Sequence, residues 1–138
     1  MDVKILNPFI QAAYEVLKAE ANYDTARGEL SLDKSAYVTD DVTVILSLIG
    51  EVEGMVFYGL AQKTAIYLAS AILEENFPEF EPLAQSGIAE LGNVITGRAS
   101  VMLSHENFHV NISPPTLLLG KGAIISTLDV PRIVVPLM

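Results

Sequence analysis

Glu90 and Asn93 stand three residues apart in the stretch GIAELGNVITGRAS, residues 87–100. On a helix, side chains at that spacing leave the same face together. A carboxamide is no base at neutral pH. It donates and accepts hydrogen bonds, however, and so can orient a water molecule, as a glutamine does in GTP hydrolysis. The phosphoryl group and its metal must then be supplied by another molecule, and a neighbouring carboxylate can pair with a lysine there. The chain has no cysteine, and none of its serines stands in G-x-S-x-G, so no activated nucleophile competes for the chemistry. The pair is suited to completing a partner's active site. Taken alone, E-x-x-N is a weak pattern, and the plain alternative is a solvated helix face.

The element that must carry the pair reads as a helix over 82–105, opened by Pro82. At about 100° per residue, Ala84, Ile88, Leu91, Ile95, Ala99 and Met102 fall on one stripe, the expected core side. Ser86, Glu90, Asn93, Gly97, Ser100 and Ser104 fall on another. That second stripe lacks the long Lys and Glu pairs of an ordinary solubilising face. Its Gly97 lies one turn beyond Asn93, where a glycine lowers helix stability by about 1 kcal/mol but lets another surface come close. The stripe is built to be covered.

Around this helix, residues 3–19 show helical spacing, with Pro8 near the start, and 61–75 read as a second helix stopped by Asn76 and Pro78. VTVILSLI (42–49) and MVFYG (55–59) read as a hairpin turned at GEVEG. Residues 21–36 read as a loop with one short strand. VNI (110–112), GAIISTLDV and PRIVVPL read as strands around Pro114-Pro115. The class is α+β: an antiparallel or mixed sheet with long helices packed on it, in one domain spanning 1–138. Two helix-then-hairpin halves, starting near 3 and near 82, point to a diverged duplication.

The formal net charge is −9, with eight Lys and Arg. That argues against nucleic acid, which needs clustered cations, and against capture of free phosphorylated metabolites. MDVKILNPFI does not read as a signal peptide, and no run approaches a membrane span. The expectation is a soluble cytoplasmic protein. HENFH, residues 105–109, is a literal H-E-x-x-H, with Asp129 the only later carboxylate side chain to act as third zinc ligand. Its place at a helix end, beside VNI and two prolines, favours His105 or His109 as a helix-end cap instead. Gly50 and Gly54 lack the spacing and context of a nucleotide loop. Arg98 is expected to lie along its helix with its head in water, or else to meet an acidic partner.

GIAELGNVITGRAS resembles the CheC/CheX/FliY phosphatases of bacterial chemotaxis, whose motif is E-x-x-N on a long helix followed by a glycine matching Gly97. LNPFIQAA (6–13), GEVEGMVFYGL and HVNISPPTLLLGKG (109–122) resemble the CheX branch in particular, so the likeness runs from residue 3 to about 127. The resemblance implies a CheC-like fold and hydrolysis of the aspartyl phosphate on the response regulator CheY. Asn93 would position the attacking water, and Glu90 would pair with the regulator's active-site lysine. Ser86, Gly97 and Ser100 would meet the partner. Mg²⁺ would belong to the regulator, leaving this chain without a cofactor or metal ligands of its own. The first helix offers Asn7, Gln11 and Glu15 but no E-x-x-N, so one site per chain is expected. The resemblance also implies a homodimer joined through sheet edges, which 123–129 could supply. Two other functions compete: a non-catalytic module docking a response regulator or another chemotaxis or motor protein through the same face, and a zinc hydrolase using HENFH.

Overall fold

The computed structural model describes residues 3–34, 36–126 and 131–138. Its central strand is β3 (Val42–Gly50), hydrophobic and rich in β-branched residues, with Val42, Val44, Leu46 and Leu48 buried on one face. β4 (Gly54–Leu60) returns beside it in register, Val44 opposite Tyr58 and Ile45 opposite Phe57. On the other edge of β3 lie β5 (Val110–Ile112), opposite residues 48–50, and β6 (Thr116–Leu119), opposite residues 42–45. Every pairing is antiparallel.

Pro114-Pro115 fall between β5 and β6, where prolines cannot donate to the ladder. Ser113 bridges the gap. Its N–H donates to Ser47 O at 3.0 Å and its hydroxyl accepts from Ser47 N–H at 2.8 Å. The segment TLLL, not read as a strand from sequence, therefore continues the same edge.

Helix α1 (Val3–Ala21) and helix α2 (Gln62–Leu73) both pack against α3 (Pro82–His105), and α3 packs on β3, β5 and β6. The core fills the space between them with Val42, Val44, Leu46, Ala65, Leu68, Ile88, Ile95 and Ala99. Pro8 falls inside α1, buried, and forgoes one helix hydrogen bond there. The Asp41 carboxylate accepts the Gln62 N–H at 3.0 Å, satisfying a donor at the start of α2 that the chain's own Ala61 cannot cap.

Four short strands complete the described chain: β1 (Ser31–Asp33) pairs with β8 (Arg132–Val134), and β2 (Tyr37–Val38) with β7 (Ile124–Ile125). Two strands thus stand where one short strand was expected before β3, and GAIISTLDV contributes only two residues among those described. The Tyr37 ring stacks on Phe57 at 4.7 Å, tying β2 to β4. The Arg132 guanidinium lies 5.3 Å from the Tyr37 ring centre and pairs with Asp33 at 2.8 Å. Behind α1, Ala26 and Met138 exchange two backbone hydrogen bonds of 2.9 Å.

Candidate active site

The site begins with how α3 is held. Because α3 is flanked by the sheet on one side and by α1 and α2 on the other, its buried arc is wide. Ala84, Ile88, Leu91, Ile95 and Ala99 are buried as the spacing predicts, while Met102 is only half-buried. Burial also takes in Gly92, Thr96 and Leu103, outside the expected stripe.

Gly92 meets β3. A Cβ built there would lie 2.7 Å from Val44 Cγ1, so any larger residue would force the helix off the strand. One turn on, the Thr96 hydroxyl donates to Gly92 O at 2.8 Å. The Tyr58 hydroxyl stands 2.7 Å from the Thr96 hydroxyl oxygen, whose proton is thus engaged, and donates to it. Burial pushes the Tyr58 phenol up to about 12, only partly offset by the Thr96 hydrogen bond. These contacts fix the turn of α3 that carries Asn93.

From that turn Glu90 is exposed and Asn93 is half-buried. Among the described residues, no ion pair or hydrogen bond of this chain engages either side chain. A carboxylate and a carboxamide one turn apart are thus both available to an incoming molecule. Ser86 is exposed on the same side. The Ser100 hydroxyl donates to Gly97 O at 2.7 Å and the Ser104 hydroxyl to Val101 O at 2.6 Å, so their protons serve the helix and only their lone pairs face outward.

Two glycines that look alike in sequence behave differently. Gly92 is filled from below by Val44, whereas a Cβ at Gly97 would meet only Ile112 Cδ1, 4.0 Å away. Gly97 is open space on the exposed face.

Arg98 reaches the surface and there meets an acidic group of its own chain. Its guanidinium pairs with Glu15 of α1 at 2.7 Å, both side chains remaining substantially exposed. The hydrophobic wheel could not reveal that pair, whose members lie 83 residues apart. Nor could it reveal Tyr58 beneath Thr96, which lies outside the stripe that the wheel assigns to the core.

HENFH is split by the fold. α3 ends at His105, Glu106 is its C-cap, and His109 precedes β5, where its N–H donates to the Glu51 carboxylate at 3.1 Å. The two imidazoles therefore do not share a helix turn, as an H-E-x-x-H zinc site requires. No group of three or more His, Cys, Asp or Glu that could hold a metal occurs among the described residues. Asp129 lies outside them. No helix of the described chain is long and apolar enough to cross a membrane.

Two surface hollows, one lined by Asp41, Gln62, Glu79 and Lys121, the other by Tyr14, Lys18, Tyr23 and Thr25, include no residue of α3. Glu90 is exposed and Asn93 half-buried on α3, an arrangement that a macromolecular partner could reach.

Comparison with known proteins bears on this arrangement. The CheY-P phosphatase CheX of Thermotoga maritima is 28% identical over 131 residues, 94% of this chain and 84% of that protein. A CheC-like superfamily protein from Shewanella sp. PV-4 superposes with a TM-score of 0.90 at 24% identity, over 100% of this chain and 91% of the other. A chain of the CheX–CheY–BeF3–Mg²⁺ complex from Borrelia burgdorferi has a TM-score of 0.72 at 22% identity, covering 96% of each chain. These two likenesses establish the fold alone. The family model for chemotaxis phosphatase CheX matches residues 42–138, from β3 through the long helix to the last strands. On that match, which includes the helix bearing Glu90 and Asn93, the chain belongs to the CheX family.

Proposed function

We propose that the protein is a phosphatase that hydrolyses the aspartyl phosphate of a CheY-like response regulator. The reading is carried by one observation: Glu90 and Asn93 project side by side from a rigidly seated helix, with no internal partner among the described residues. It is supported by family membership and by the relative named as a CheY-P phosphatase. The complex of a fold relative with CheY supports the choice of partner.

Asn93 accepts a hydrogen bond from the attacking water through its carboxamide oxygen and donates through its amide, holding the water in line with the phosphorus. A new P–O bond forms to the water oxygen and the bond to the aspartyl oxygen breaks. Inorganic phosphate leaves and the carboxylate is restored, the water's protons passing to phosphate and solvent. Glu90 pairs with the regulator's active-site lysine and registers the two proteins. Mg²⁺ carried by the regulator supplies charge neutralisation at the phosphoryl group. We further read the chain as cytoplasmic, alongside its regulator, and as a homodimer.

Asn93→Ala removes the water's guide and leaves the fold intact. The acceleration of phosphate loss from the purified phosphorylated regulator is expected to fall about 100-fold. Equal rates for wild type and variant would remove Asn93 from the mechanism. Tight binding with an unchanged phosphate lifetime in the wild type would leave a docking module instead of an enzyme.

A further inference from the structure

Val44 of β3 and Tyr58 of β4 stand opposite one another in the hairpin register. Both meet α3, on consecutive turns. Val44 Cγ1 occupies the room that a Cβ would need at Gly92. The Tyr58 hydroxyl reaches Thr96 at 2.7 Å, and the Thr96 hydroxyl reaches Gly92 O at 2.8 Å. Thr96 is wholly enclosed, at 0% exposure. The hydroxyls form a chain with one direction: Tyr58 donates to Thr96, and Thr96 donates to the carbonyl of Gly92. That carbonyl belongs to the peptide group joining Gly92 to Asn93. Because the group is planar, its tilt sets where the Asn93 side chain leaves the helix. Glycine has the widest backbone freedom of any residue and weakens a helix by about 1 kcal/mol relative to alanine. Untethered, α3 would be most pliable at the residue before the carboxamide. A phenylalanine at 58 would fill nearly the same space with no polar atom to desolvate. The phenol that stands there instead is drawn out of water and spends its proton on this one threonine.

We propose that Tyr58 and Thr96 are positioning residues for the phosphatase reaction, their hydroxyls holding the Gly92–Asn93 peptide so that the carboxamide of Asn93 keeps the angle at which it aims water at phosphorus. The inference rests on the phosphatase reading and deepens it. Thr96 has no exposed surface with which to touch a regulator, and Tyr58 acts through Thr96. Their effect therefore belongs to the saturating rate. The amount of regulator needed is decided by contacts on the outer side of the helix, which a small tilt of one carboxamide leaves in place. In-line geometry is far less forgiving, since a misplacement of about 1 Å can cost about 100-fold. Loss of a tether from an otherwise intact helix displaces the group by less, and a tenth of the rate, roughly, should remain.

The test measures the saturating rate of phosphate loss, the half-saturating concentration of phosphorylated regulator, and Tm, with rates taken where every protein is folded. Thr96→Val keeps the shape and removes the hydroxyl. Its saturating rate is expected to fall about tenfold, with half-saturation within about twofold of wild type. Thr96→Ser keeps the hydroxyl and is expected to hold the rate within about threefold. Tyr58→Phe leaves Thr96 on the carbonyl but free to turn, and a fall of about threefold is expected. The combined Tyr58→Phe, Thr96→Val protein separates positioning from stability. Thr96→Val alone strands the Tyr58 proton without an acceptor, and the second substitution removes that fault, so Tm should recover by about 3 °C. The rate is expected to stay at the Thr96→Val level. A rate that recovers with Tm overturns the inference, because the threonine then acts only through the fold. If Thr96→Val turns over at the wild-type rate while Asn93→Ala is inactive, the inference falls and the phosphatase reading stands. A further fall when Thr96→Val is added to Asn93→Ala places the effect outside the carboxamide and also overturns it. Should Thr96→Val not fold, Tyr58→Phe decides: a lower saturating rate at unchanged half-saturation upholds the inference, and an unchanged rate overturns it. If the wild type does not shorten the lifetime of the phosphate, the phosphatase reading falls and takes the inference with it.

Discussion

At the scale of single residues, the proposed mechanism gives Glu90 and Asn93 different work, and a substitution can separate them. Glu90→Gln keeps the shape and removes the charge that meets the regulator's lysine. We expect the half-saturating regulator concentration to rise about tenfold, the value of one charge-assisted contact, with the saturating rate reduced far less than by Asn93→Ala. A lower saturating rate at unchanged half-saturation would move Glu90 from docking to the chemical step. That both side chains leave α3 on one face was legible in the sequence, because spacing within one helix decides it. The Arg98–Glu15 pair was not, because it depends on how α1 lies on α3, and no local pattern encodes that.

At the scale of elements, α3 is a buried helix with one uncovered face. Its ends were readable from Pro82 and from the polar run that follows His105. The width of its buried arc was not: a wheel assumes one wall, and α3 has the sheet on one side and two helices on the other. Tyr58, Thr96 and Gly92 form the seam with the sheet, and this seam gives a pH signature. The Tyr58 phenol, ordinarily near 10.0, is raised to about 12 in the folded chain. Below the ordinary value both states hold the proton, so its full contribution to stability is present. As pH rises from there towards about 12, the unfolded chain ionises first and stability is lost. The loss approaches 3 kcal/mol, at about 1.4 kcal/mol per pKa unit. Burial raises the Tyr37 phenol in the same direction. Tyr58→Phe is expected to lower stability near neutrality by about 1 kcal/mol, for the lost hydrogen bond to Thr96. It should also flatten the decline between pH 10 and 12 in denaturant melts; parallel curves for the two proteins would refute that.

At the scale of the whole molecule, the four-stranded sheet has two borders, β4 on one side and β5 with β6 on the other, and none of these strands pairs outward among the described residues. Sequence patterning found the β3–β4 hairpin, whose alternation and Gly50–Gly54 turn are local. It expected one short strand within 21–36, where β1 lies, and did not find β2 or β6. Those strands are two to four residues long, and they owe their shape to distant contacts such as Tyr37 on Phe57 and Ser113 on Ser47. The 123–129 segment expected at a dimer edge contributes only β7, already paired with β2, and residues 127–129 lie outside the described chain. The homodimer we propose would therefore join through a border of the four-stranded sheet. Light scattering at tens of micromolar should give twice the mass of one chain, and a monomer mass would rule out the pairing.

The contact between Gly92 and Val44 also bears on kinship. Two positions 48 residues apart in the chain share a single allotment of space. A descendant that acquires a methyl group at the first must shed volume at the second, or its long helix will stand away from the strand beneath. Asn93, the proposed guide of the water, is rooted next to that contact, so on that proposal drift deep in the interior would become, a few ångströms away, a change in reaction rate.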